Sequence, residues 1–508
     1  MRRRDFLQGG AYLPLATLRL PRAAAAETPA GNAGTPFDGS TVRGIARELA
    51  GKPYQPQDAN LPDPFSKLTY DQYRKIRFDS GHALWRGIGL PFEIQFFHPG
   101  FLYTSRVDIY EVSAGQAQPI RYSPDLFDYG ELPRPTGEGL GFAGFRVHSP
   151  LNRPDHFDEL CAFLGASYFR AVARNQGYGI SARGLAVKTS DAGGEEFPAF
   201  KAFWIERPQP RNGSIVVHAL LDGPSAAASF RFSIRPGNET VFDVESAIYP
   251  RSDIAQVGLA PLTSMFYIGP NQPVRADDYR PSVHDSNGLS IWNGWNEQLW
   301  RPLANPTELQ VSSFADVNTR GFGLMQRQRD FLAYQDLEAR YERRPSLWVE
   351  TIGGVGEGAV DLVEIPTNRE IHDNIVAFWR PTQPLRAKGE YNFNYRLYWC
   401  NENPLVTGLA RVVQTRSGLG SQEKSRLFVI DLAGETLNSL PADAEPHVEV
   451  SADHGVISNT VAQPNPEIGG WRISFELAPA GAHTVELRAQ LLVNDAAVSE
   501  RWLYRWTS

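Results

Sequence analysis

Carboxylates set among aromatic side chains are the residues of this sequence best suited to chemistry. Residues 277–302 hold four acids, three tryptophans, two arginines and one histidine. Tryptophan rings cover the apolar faces of sugars, while Asp, Arg and Asn side chains bond to the hydroxyl groups at their edges. This composition favours a glycan-binding cleft. The alternative is that the tryptophans fill a sandwich core and the acids lie in turns.

A second acidic run, residues 364–374, indicates which carboxylates could act together. Asp285 in VHDS and Asp373 in IHDN each follow a histidine. Glycoside cleavage needs one protonated carboxyl group for the leaving oxygen and one ionised group that activates water or attacks carbon. Desolvation against an apolar wall keeps a carboxyl group protonated, and residues 375–379 could supply that wall for Asp373. Composition alone leaves this pair as one hypothesis among several.

Signatures of other enzyme classes are missing from the sequence. It contains no GxSxG elbow, Walker loop, helix-opening GxGxxG or HExxH, and its ten histidines are scattered. No cofactor and no metal are therefore predicted. Cys161 and Cys400 belong to no CxxC or Cys/His pattern, which favours two buried free thiols and leaves a bridge between them open.

The N-terminus carries the pattern of an export signal. Arg3 and Arg4, followed by Phe6 and Leu7, match a twin-arginine signal. A short, interrupted apolar stretch and three alanines follow, which predict a cleaved signal peptide over residues 1–26. Nothing later approaches ~18 uninterrupted apolar residues, so we expect a soluble periplasmic protein.

The charge balance argues against two classes of partner. The net charge is −7 for the whole chain and −11 without residues 1–26, which hold five arginines and one aspartate. Nucleic acid and anionic membranes both need a basic face on the protein that binds them. Neither is predicted as a partner.

Hydrophobic periodicity predicts a few helices and many strands. Helical spacing of apolar residues predicts helices over residues 41–49, 70–78 and 155–171. After these, alternation dominates, as in Phe230–Ile234 and Phe242–Ile248, with Gly and Pro every 8–12 residues or so. No βαβα rhythm occurs, so the predicted fold class is all-β, a sandwich or barrel.

The composition also predicts a division of the chain. Residues 381–389, PTQPLRAKG, have the character of a linker. Beyond them, alternating runs begin at Tyr391, Trp471, Val485 and Trp502. About 120 residues with some seven such strands fit an immunoglobulin-like sandwich.

Several longer motifs occur in order along the chain. They are FAGFR at 142–146, FLGASYFR at 163–170, YGISARG at 178–184, EEFP at 195–198, TSMF at 263–266, VHDS at 283–286, RPSLWVE at 344–350, DNIV at 373–376 and YRLYW at 395–399. This series resembles the periplasmic glucan biosynthesis family OpgG/OpgD, also called MdoG/MdoD. The resemblance runs from about Phe37 to the last strand, and the twin-arginine signal points toward the OpgD branch.

The resemblance implies a fold, a location and an activity. It implies a large galactose-mutarotase-like β-sandwich over residues 36–380 and an immunoglobulin-like β-sandwich over residues 390–508. It implies a role in osmoregulated periplasmic glucans, whose backbone is β-1,2-linked glucose. It further implies an inverting endo-β-1,2-glucanase or a transglycosylase. A non-catalytic glucan-binding or assembly factor is the alternative, and sugar epimerisation would rest on fold analogy alone.

The resemblance also implies roles for individual residues. Asp373 of DNIV would be the general acid. Asp285 of HDS would be the general base, acting at a distance through water and a substrate hydroxyl. The further residues expected to bind substrate are Glu370, Tyr341, Arg146, Arg170, Arg183, Trp292 and Trp295.

One segment departs from the family pattern. Relatives of the OpgD kind carry an insertion after the position of Gly420 that closes over the cleft, whereas residues 421–425 here lead almost directly into a strand. A shorter lid would exclude water differently and leaves transfer to a sugar hydroxyl open. The predicted partner is a β-glucan; membrane-bound glucan synthase machinery and a second copy of the chain stay open.

Overall fold

The structure, a computed structural model, describes residues 34–57, 59–136, 139–272, 277–405, 408–441 and 444–508. The predicted signal peptide, residues 1–26, lies outside these residues. Over the described ranges, no helix combines the length and apolar character that a membrane crossing requires.

Strands make up most of the regular structure. Their bounds in chain order are β1 Thr35–Pro36, β2 Arg77–Phe78, β3 Glu93–Phe97, β4 Asp108–Ser113, β5 Gln116–Pro119, β6 Phe127–Asp128, β7 Gly144–Arg153, β8 His156–Leu164, β9 Tyr168–Ala171, β10 Ser181–Arg183, β11 Ala186–Val187, β12 Ala199–Glu206, β13 Ile215–Asp222, β14 Ala226–Arg235, β15 Thr240–Pro250, β16 Val257–Ser264, β17 Phe266–Ile268, β18 Val283–His284, β19 Gly288–Trp292, β20 Gln298–Pro302, β21 Gln310–Val317, β22 Gly321–Met325, β23 Ser346–Ile352, β24 Glu357–Glu364, β25 Ile375–Pro381, β26 Tyr391–Cys400, β27 Arg411–Leu419, β28 Arg426–Ala433, β29 His447–Ala452, β30 Val456–Asn465, β31 Gly470–Ala478, β32 Thr484–Val493, β33 Ala496–Ala497 and β34 Arg501–Thr507. The helices are α1 Thr41–Ala50, α2 Tyr70–Tyr73 and α3 Glu435–Asn438. Single 3₁₀ turns occur at Phe65–Lys67, Ser80–His82, Pro124–Leu126, Phe331–Ala333, Tyr341–Arg343 and Pro466–Ile468.

Two sheets packed face to face form the first sandwich. One is the ten-stranded sheet, with the order β21-β24-β25-β16-β10-β9-β8-β7-β3 and β11 beside β16. The other is the sixteen-stranded sheet, which runs from β1 through β26 to β20 and continues to β34, β32 and β29. Aromatic rings fill the space between them: Phe163 packs edge to face on Phe203 at 5.5 Å, and Phe169 on Phe232 at 5.1 Å. The predicted all-β class is confirmed.

The second sandwich is smaller and shares a sheet with the first. Strands β27-β28-β31-β30 form one layer, and β34-β32-β29 form the other. Phe428, Phe475 and Trp502 pack together in its core. Strand β34 also pairs in parallel with β20, and both nitrogens of the Arg327 fork donate to the Glu500 carboxylate at 2.7 Å. The two sandwiches are therefore joined by backbone and side-chain bonds.

One strand lies in a different layer from the expected one. The run beginning at Tyr391 was expected to open the C-terminal sandwich. Strand β26 instead pairs with β15 and β23 in the middle of the first sandwich, and its Trp399 ring packs against Phe242 at 4.7 Å. The assignment of this strand to the C-terminal unit is therefore wrong. Alternation shows that a strand is half-buried, but not which strands it pairs with. The domain division at 380–390 stays a prediction.

The predicted linker is not a free spacer. Leu385 exchanges two backbone hydrogen bonds with Ile254 and is buried. The segment connects β25 in one sheet to β26 in the other, so it crosses the edge of the first sandwich.

The three predicted helices have three different outcomes. Helix α1 forms as expected, with Val42 and Ala46 buried on one face. The second prediction is right only for α2, whose capping box joins Thr69 and Gln72; the chain then turns, so that Phe78 packs against Phe96 and Phe127.

The helix predicted over residues 155–171 is wrong. These residues form β8 and β9, joined by a turn in which Gly165 and Ala166 have positive φ angles. Residues of β8 between Leu160 and Phe163 are buried on both faces of the sheet, which removes the alternation that marks a half-exposed strand. The apolar spacing that remains imitates a helix.

Cys161 and Cys400 are both free and buried, as the favoured interpretation predicts. Burial raises the pKa of each thiol far above its ordinary value. Both side chains fill the core rather than offer a reactive thiolate.

A buried histidine gives this fold a predicted acid sensitivity. His98 Nδ1 donates to the Pro99 carbonyl at 2.7 Å, so Nε2 accepts from the Tyr122 hydroxyl at 3.0 Å. Burial lowers the pKa of His98 to about 4. The unfolded chain therefore binds a proton that the folded chain does not, and stability falls as the pH drops from about 6.5 toward 4.

Because His98→Gln lacks the group that titrates, it should not share this loss. We expect its free energy of unfolding to rise by about 3 kcal/mol relative to that of the parent as the pH falls from about 6.5 to 4. Urea unfolding at pH 7, 5.5 and 4.5 measures the difference. His82→Gln, at a half-exposed histidine, is the control and should follow the parent. Parallel curves for His98→Gln and the parent would contradict the prediction.

Candidate active site

Three predicted sugar contacts lie on one surface of the ten-stranded sheet. Arg146 stands opposite Ala162, which stands opposite Arg170 on the next strand. The neighbours of Arg146 along β7, Phe145 and Val147, point into the core. Side chains alternate between the faces of a strand, so both arginines point away from the core. We call this surface the outer face.

The Glu159 carboxylate connects Arg146 with Tyr178, beside which Arg170 lies. Arg146 donates to Glu159 at 2.9 Å and to Gln95 at 2.8 Å. The Tyr178 hydroxyl donates to the other Glu159 oxygen at 3.0 Å, and the Arg170 guanidinium lies 6.0 Å from the Tyr178 ring centre. All five side chains are partly or fully buried, which makes a fixed polar patch rather than loose surface charges.

Arg183, opposite Tyr168 on the next strand, also points to the outer face but is covered there. Its residue is 2% exposed, and its guanidinium donates to Glu195 at 2.8 Å. The rings of Tyr168 and Phe197 lie 5.2 Å and 5.0 Å from the guanidinium. Arg183 therefore orders its neighbours more readily than it contacts a sugar.

Asp373 lies in the loop between β24 and β25 and is exposed. Burial raises the pKa of the Tyr168 hydroxyl, Arg183 lowers it, and the charges of Asp373 and Glu195 raise it. This places Asp373 near the Tyr168–Arg183 pair. Residues 375–379 form β25, in which Ile375, Ala377 and Trp379 belong to the main core, whereas Val376 and Phe378 form a separate apolar cluster with Val363. The apolar wall expected beside Asp373 stays a prediction.

Asn374 fixes the backbone beside Asp373. Its side-chain amide accepts from the Phe266 N–H at 2.8 Å and donates to the Phe266 and Ile365 carbonyls at 3.0 Å. Phe266 begins β17, so the loop that carries Asp373 is attached to one side of that short strand.

Asp285 is attached to the other side of β17. Its backbone N–H donates to the Met265 carbonyl at 2.8 Å, directly after β18. Its carboxylate accepts from Arg344 Nη1 at 2.6 Å, and the two side chains are 3% and 4% exposed. A neighbouring guanidinium favours the ionised form of a buried carboxyl group.

The two aspartates thus flank one strand. The Asp285 backbone bonds to Met265, and the Asn374 side chain joins the Asp373 loop to the next residue, Phe266. Inverting glycosidases hold their two carboxyl groups roughly 6.5–9.5 Å apart, leaving room for a water molecule. Attachment to neighbouring residues brings the two aspartates to one place, as such a mechanism requires.

A chain of buried contacts joins the two sides. Arg344 lies 4.5 Å from the ring centre of Tyr341, whose hydroxyl donates to Glu370 at 3.0 Å. Glu370, which lies three residues before Asp373 in the chain, also accepts a hydrogen bond from Arg280 at 2.7 Å. The predicted residues Tyr341 and Glu370 are therefore brought into one network with Asp285.

Two open cavities lie next to this network. One, of about 480 Å³, lies where the two sandwiches meet, and we call it the junction cavity. His284 and Trp300 line it from the first sandwich, and Thr415 and Arg416 from the second. The other, of about 540 Å³, borders the loop of Asp373 at His372. Both have room for sugar-sized groups.

Trp292 and Trp295 lie away from the two aspartates. Trp292 ends β19, whereas Asp285 precedes its start, and seven extended residues span roughly 23 Å. Trp292 is covered on one side by Arg320 at 4.9 Å, and Trp295 is 66% exposed in the following turn. The acid-and-tryptophan run looks compact in sequence, but the β19–β20 hairpin carries Trp292 and Trp295 to its tip, while Trp300 near its base lines the same cavity as His284.

Sequence reasoning did not assign a role to several residues of this network. Arg344 and Asn374 fall within the quoted motifs RPSLWVE and DNIV, which is the only signal that marks them. Arg280, which pairs with Asp278, Asp336 and Glu370, is marked only by its place in the acid-and-tryptophan run of residues 277–302. Across the described part of the chain, no group of three or more His, Cys, Asp or Glu side chains could hold a metal ion.

Comparison with known proteins gives these features a family. The profile described as "Periplasmic glucan biosynthesis protein, MdoG" matches residues 37–506. The chain belongs to the MdoG family. It is 56% identical to "Glucans biosynthesis protein G" of Rhodopseudomonas palustris over 508 residues, all of both chains. The protein of the same name from Vibrio cholerae is 51% identical over 477 residues, 93% of this chain and 87% of that one.

These relatives of the MdoG family carry the letter G in their names, which gives no support to the predicted OpgD branch. The Bradyrhizobium diazoefficiens relative, also named G, is 57% identical over 509 residues, 100% of each chain.

The connection after Gly420 is short, as the sequence indicates. The Glu476 carboxylate accepts hydrogen bonds from Ser425 Oγ at 2.8 Å and from Ser421 N–H at 2.9 Å. Hydrogen bonds from Ser425, Ser421 and Asn459 lower the pKa of Glu476 to about 2. Hydrogen bonds to Glu476 thus fix the short connection between β27 and β28. The connection lies beside the junction cavity, which Arg416 of β27 lines.

Proposed function

We propose that this member of the MdoG family acts on the β-1,2-linked glucan of periplasmic glucan biosynthesis, as an inverting endo-glucanase or a transglycosylase. One observation carries the proposal: an exposed aspartate and a buried, ion-paired aspartate flank the same short strand. Inverting chemistry needs two carboxyl groups in opposite protonation states. The periplasm, as the family name has it, is the proposed location.

Asp373 is the proposed general acid. Its exposure lets a glucan chain cover it, and removal of water by the bound sugar favours the protonated form. It then gives its proton to the leaving glycosidic oxygen. The Asn374 side chain fixes the backbone beside this carboxyl group through its bonds to Phe266 and Ile365.

Asp285 is the proposed general base. The Arg344 ion pair keeps it ionised, but its side chain is 3% exposed and cannot reach bulk solvent directly. A proton therefore travels to it through ordered water and a substrate hydroxyl. The junction cavity beside His284 has the volume for that water. Attack by water gives hydrolysis, and attack by a glucan hydroxyl gives transfer or ring closure.

A non-catalytic glucan-binding or assembly role is the second candidate. The tight Asp285–Arg344 ion pair supports this role, because a buried carboxylate in such a pair can stabilise the fold without ever accepting a proton. The two candidates predict the same affinity for glucan but different products.

Incubation of the protein, without residues 1–26, with linear β-1,2-glucan separates these candidates. We expect shorter products, and mass spectrometry identifies them: linear fragments indicate hydrolysis, and loss of one water relative to the linear oligomer indicates cyclisation. Linear β-1,3-glucan serves as the control and should be unchanged. Recovery of intact β-1,2-glucan would support the binding role and refute the catalytic proposal.

A further inference from the structure

We propose that Phe197 is an aromatic platform on which a glucose ring of the bound glucan stacks. This inference rests on the proposed function and adds a binding position that sequence patterns did not indicate. Phe197 lies in the EEFP motif and is 52% exposed; among the described residues, Tyr279 and Trp295 are the other exposed aromatic side chains. Exposed aromatic rings at fixed positions commonly mark binding surfaces.

Hydrogen bonds to two glutamates hold the loop that carries Phe197 in place. Glu195 accepts from Arg183 at 2.8 Å and from Thr189 at 2.7 Å. Glu196 accepts from the Ser225 N–H at 2.9 Å and from its hydroxyl group at 2.5 Å. Two glutamates therefore anchor the segment immediately before Phe197. A ring held in this way loses little conformational freedom when a ligand stacks on it.

A buried cation supports the ring from behind. The Arg183 guanidinium lies 5.0 Å from the Phe197 ring centre and 5.2 Å from that of Tyr168, and Arg183 Nε has no hydrogen-bond partner among the described residues. The faces of the two rings attract the positive charge of the guanidinium and so stabilise the side of it that makes no hydrogen bond. Arg183 is thus a positioning residue for Phe197 and Tyr168.

The platform leads toward the proposed acid. Arg183 and Tyr168 are cross-strand neighbours on the outer face, and the charge of Asp373 acts on Tyr168. A glucan chain whose scissile bond lies at Asp373 would extend over Tyr168 to Phe197. The apolar C–H face of a glucose ring fits the free face of Phe197, and its hydroxyl groups stay in water.

Calorimetric titration with linear β-1,2-glucan oligosaccharides tests the platform. We use Asp373→Asn as the parent, so that turnover does not consume the ligand. Phe197→Ala should weaken binding about tenfold, because it removes most of a side chain's apolar contact. Phe197→Tyr, which keeps the ring, should bind within about twofold of the parent. The matched control is Val456→Ala, an exposed apolar side chain on β30 of the second sandwich, which should leave the affinity unchanged.

Each other outcome overturns a distinct statement. If Phe197→Ala binds like the parent, or if Val456→Ala causes the same loss, the platform is refuted while the proposed function stands. If the Asp373→Asn parent binds no β-1,2-glucan, the proposed function fails and the platform fails with it. Loss of the folded near-ultraviolet spectrum in Phe197→Ala would show that the ring stabilises the fold, which also refutes a platform role.

Discussion

Asp373→Asn is expected to lower turnover of linear β-1,2-glucan at least a thousandfold while leaving the affinity for glucan within about threefold. Asn keeps the size and polarity of the side chain but has no proton to give to the leaving oxygen. General acid catalysis contributes roughly 10²–10⁴-fold, and the poor leaving group of a glycoside places this case toward the upper end. Product release measured over time, together with calorimetric binding, separates the two quantities.

A matched control uses another exposed aspartate. Asp155 lies in the turn between β7 and β8, where it pairs with Arg153, and no functional contact is assigned to it. Asp155→Asn should retain full turnover. Equal rates for Asp373→Asn and the unchanged protein would remove Asp373 from the mechanism, and a parallel loss in Asp155→Asn would point to a general effect on folding.

Arg344→Met is expected to destabilise the fold by about 3–5 kcal/mol, the cost of removing one partner of a buried ion pair. Asp285 would lose the guanidinium that contacts it at 2.6 Å in a site almost closed to water. Arg344 also donates to the Ala339 carbonyl at 3.0 Å and 3.1 Å, so the backbone ahead of Tyr341 loses support as well. Urea unfolding followed by circular dichroism measures the loss.

The double variant Arg344→Met with Asp285→Leu tests the cause. If an uncompensated charge is responsible, the second change should restore part of the stability. Arg231→Met removes an exposed partner of Glu245 and should cost less than about 1 kcal/mol. A similar small cost for Arg344→Met would show that the buried pair contributes little to the fold.

The sequence predicted the fold class and both proposed catalytic residues, since strand alternation and the HDS and DNIV motifs are local signals. What it missed depends on pairing over long distances. Strand β26 alternates cleanly, but its place between β15 and β23 is set by partners far away in the chain. Strand β8 lost its alternation because both of its faces are covered, and so it resembled a helix.

The site could be predicted only as far as its residues lie in motifs. Arg183 and Trp295 are equally plausible sugar contacts in sequence, yet one is 2% exposed and the other 66%. Exposure depends on which loops cover a residue, which composition does not reveal. Phe197 follows two acids in the sequence and gains its significance only when Glu195 and Glu196 are seen to hold the loop.

The pairing of β34 with β20 has a mechanical consequence. Rotation of one sandwich against the other would break backbone hydrogen bonds within a single sheet and the two bonds between Arg327 and Glu500. Within the part of the chain that the structure describes, this seam therefore offers no hinge. A long polymer would therefore bind in a groove of fixed width. Any opening or closing would be limited to movement of the loops that border this groove.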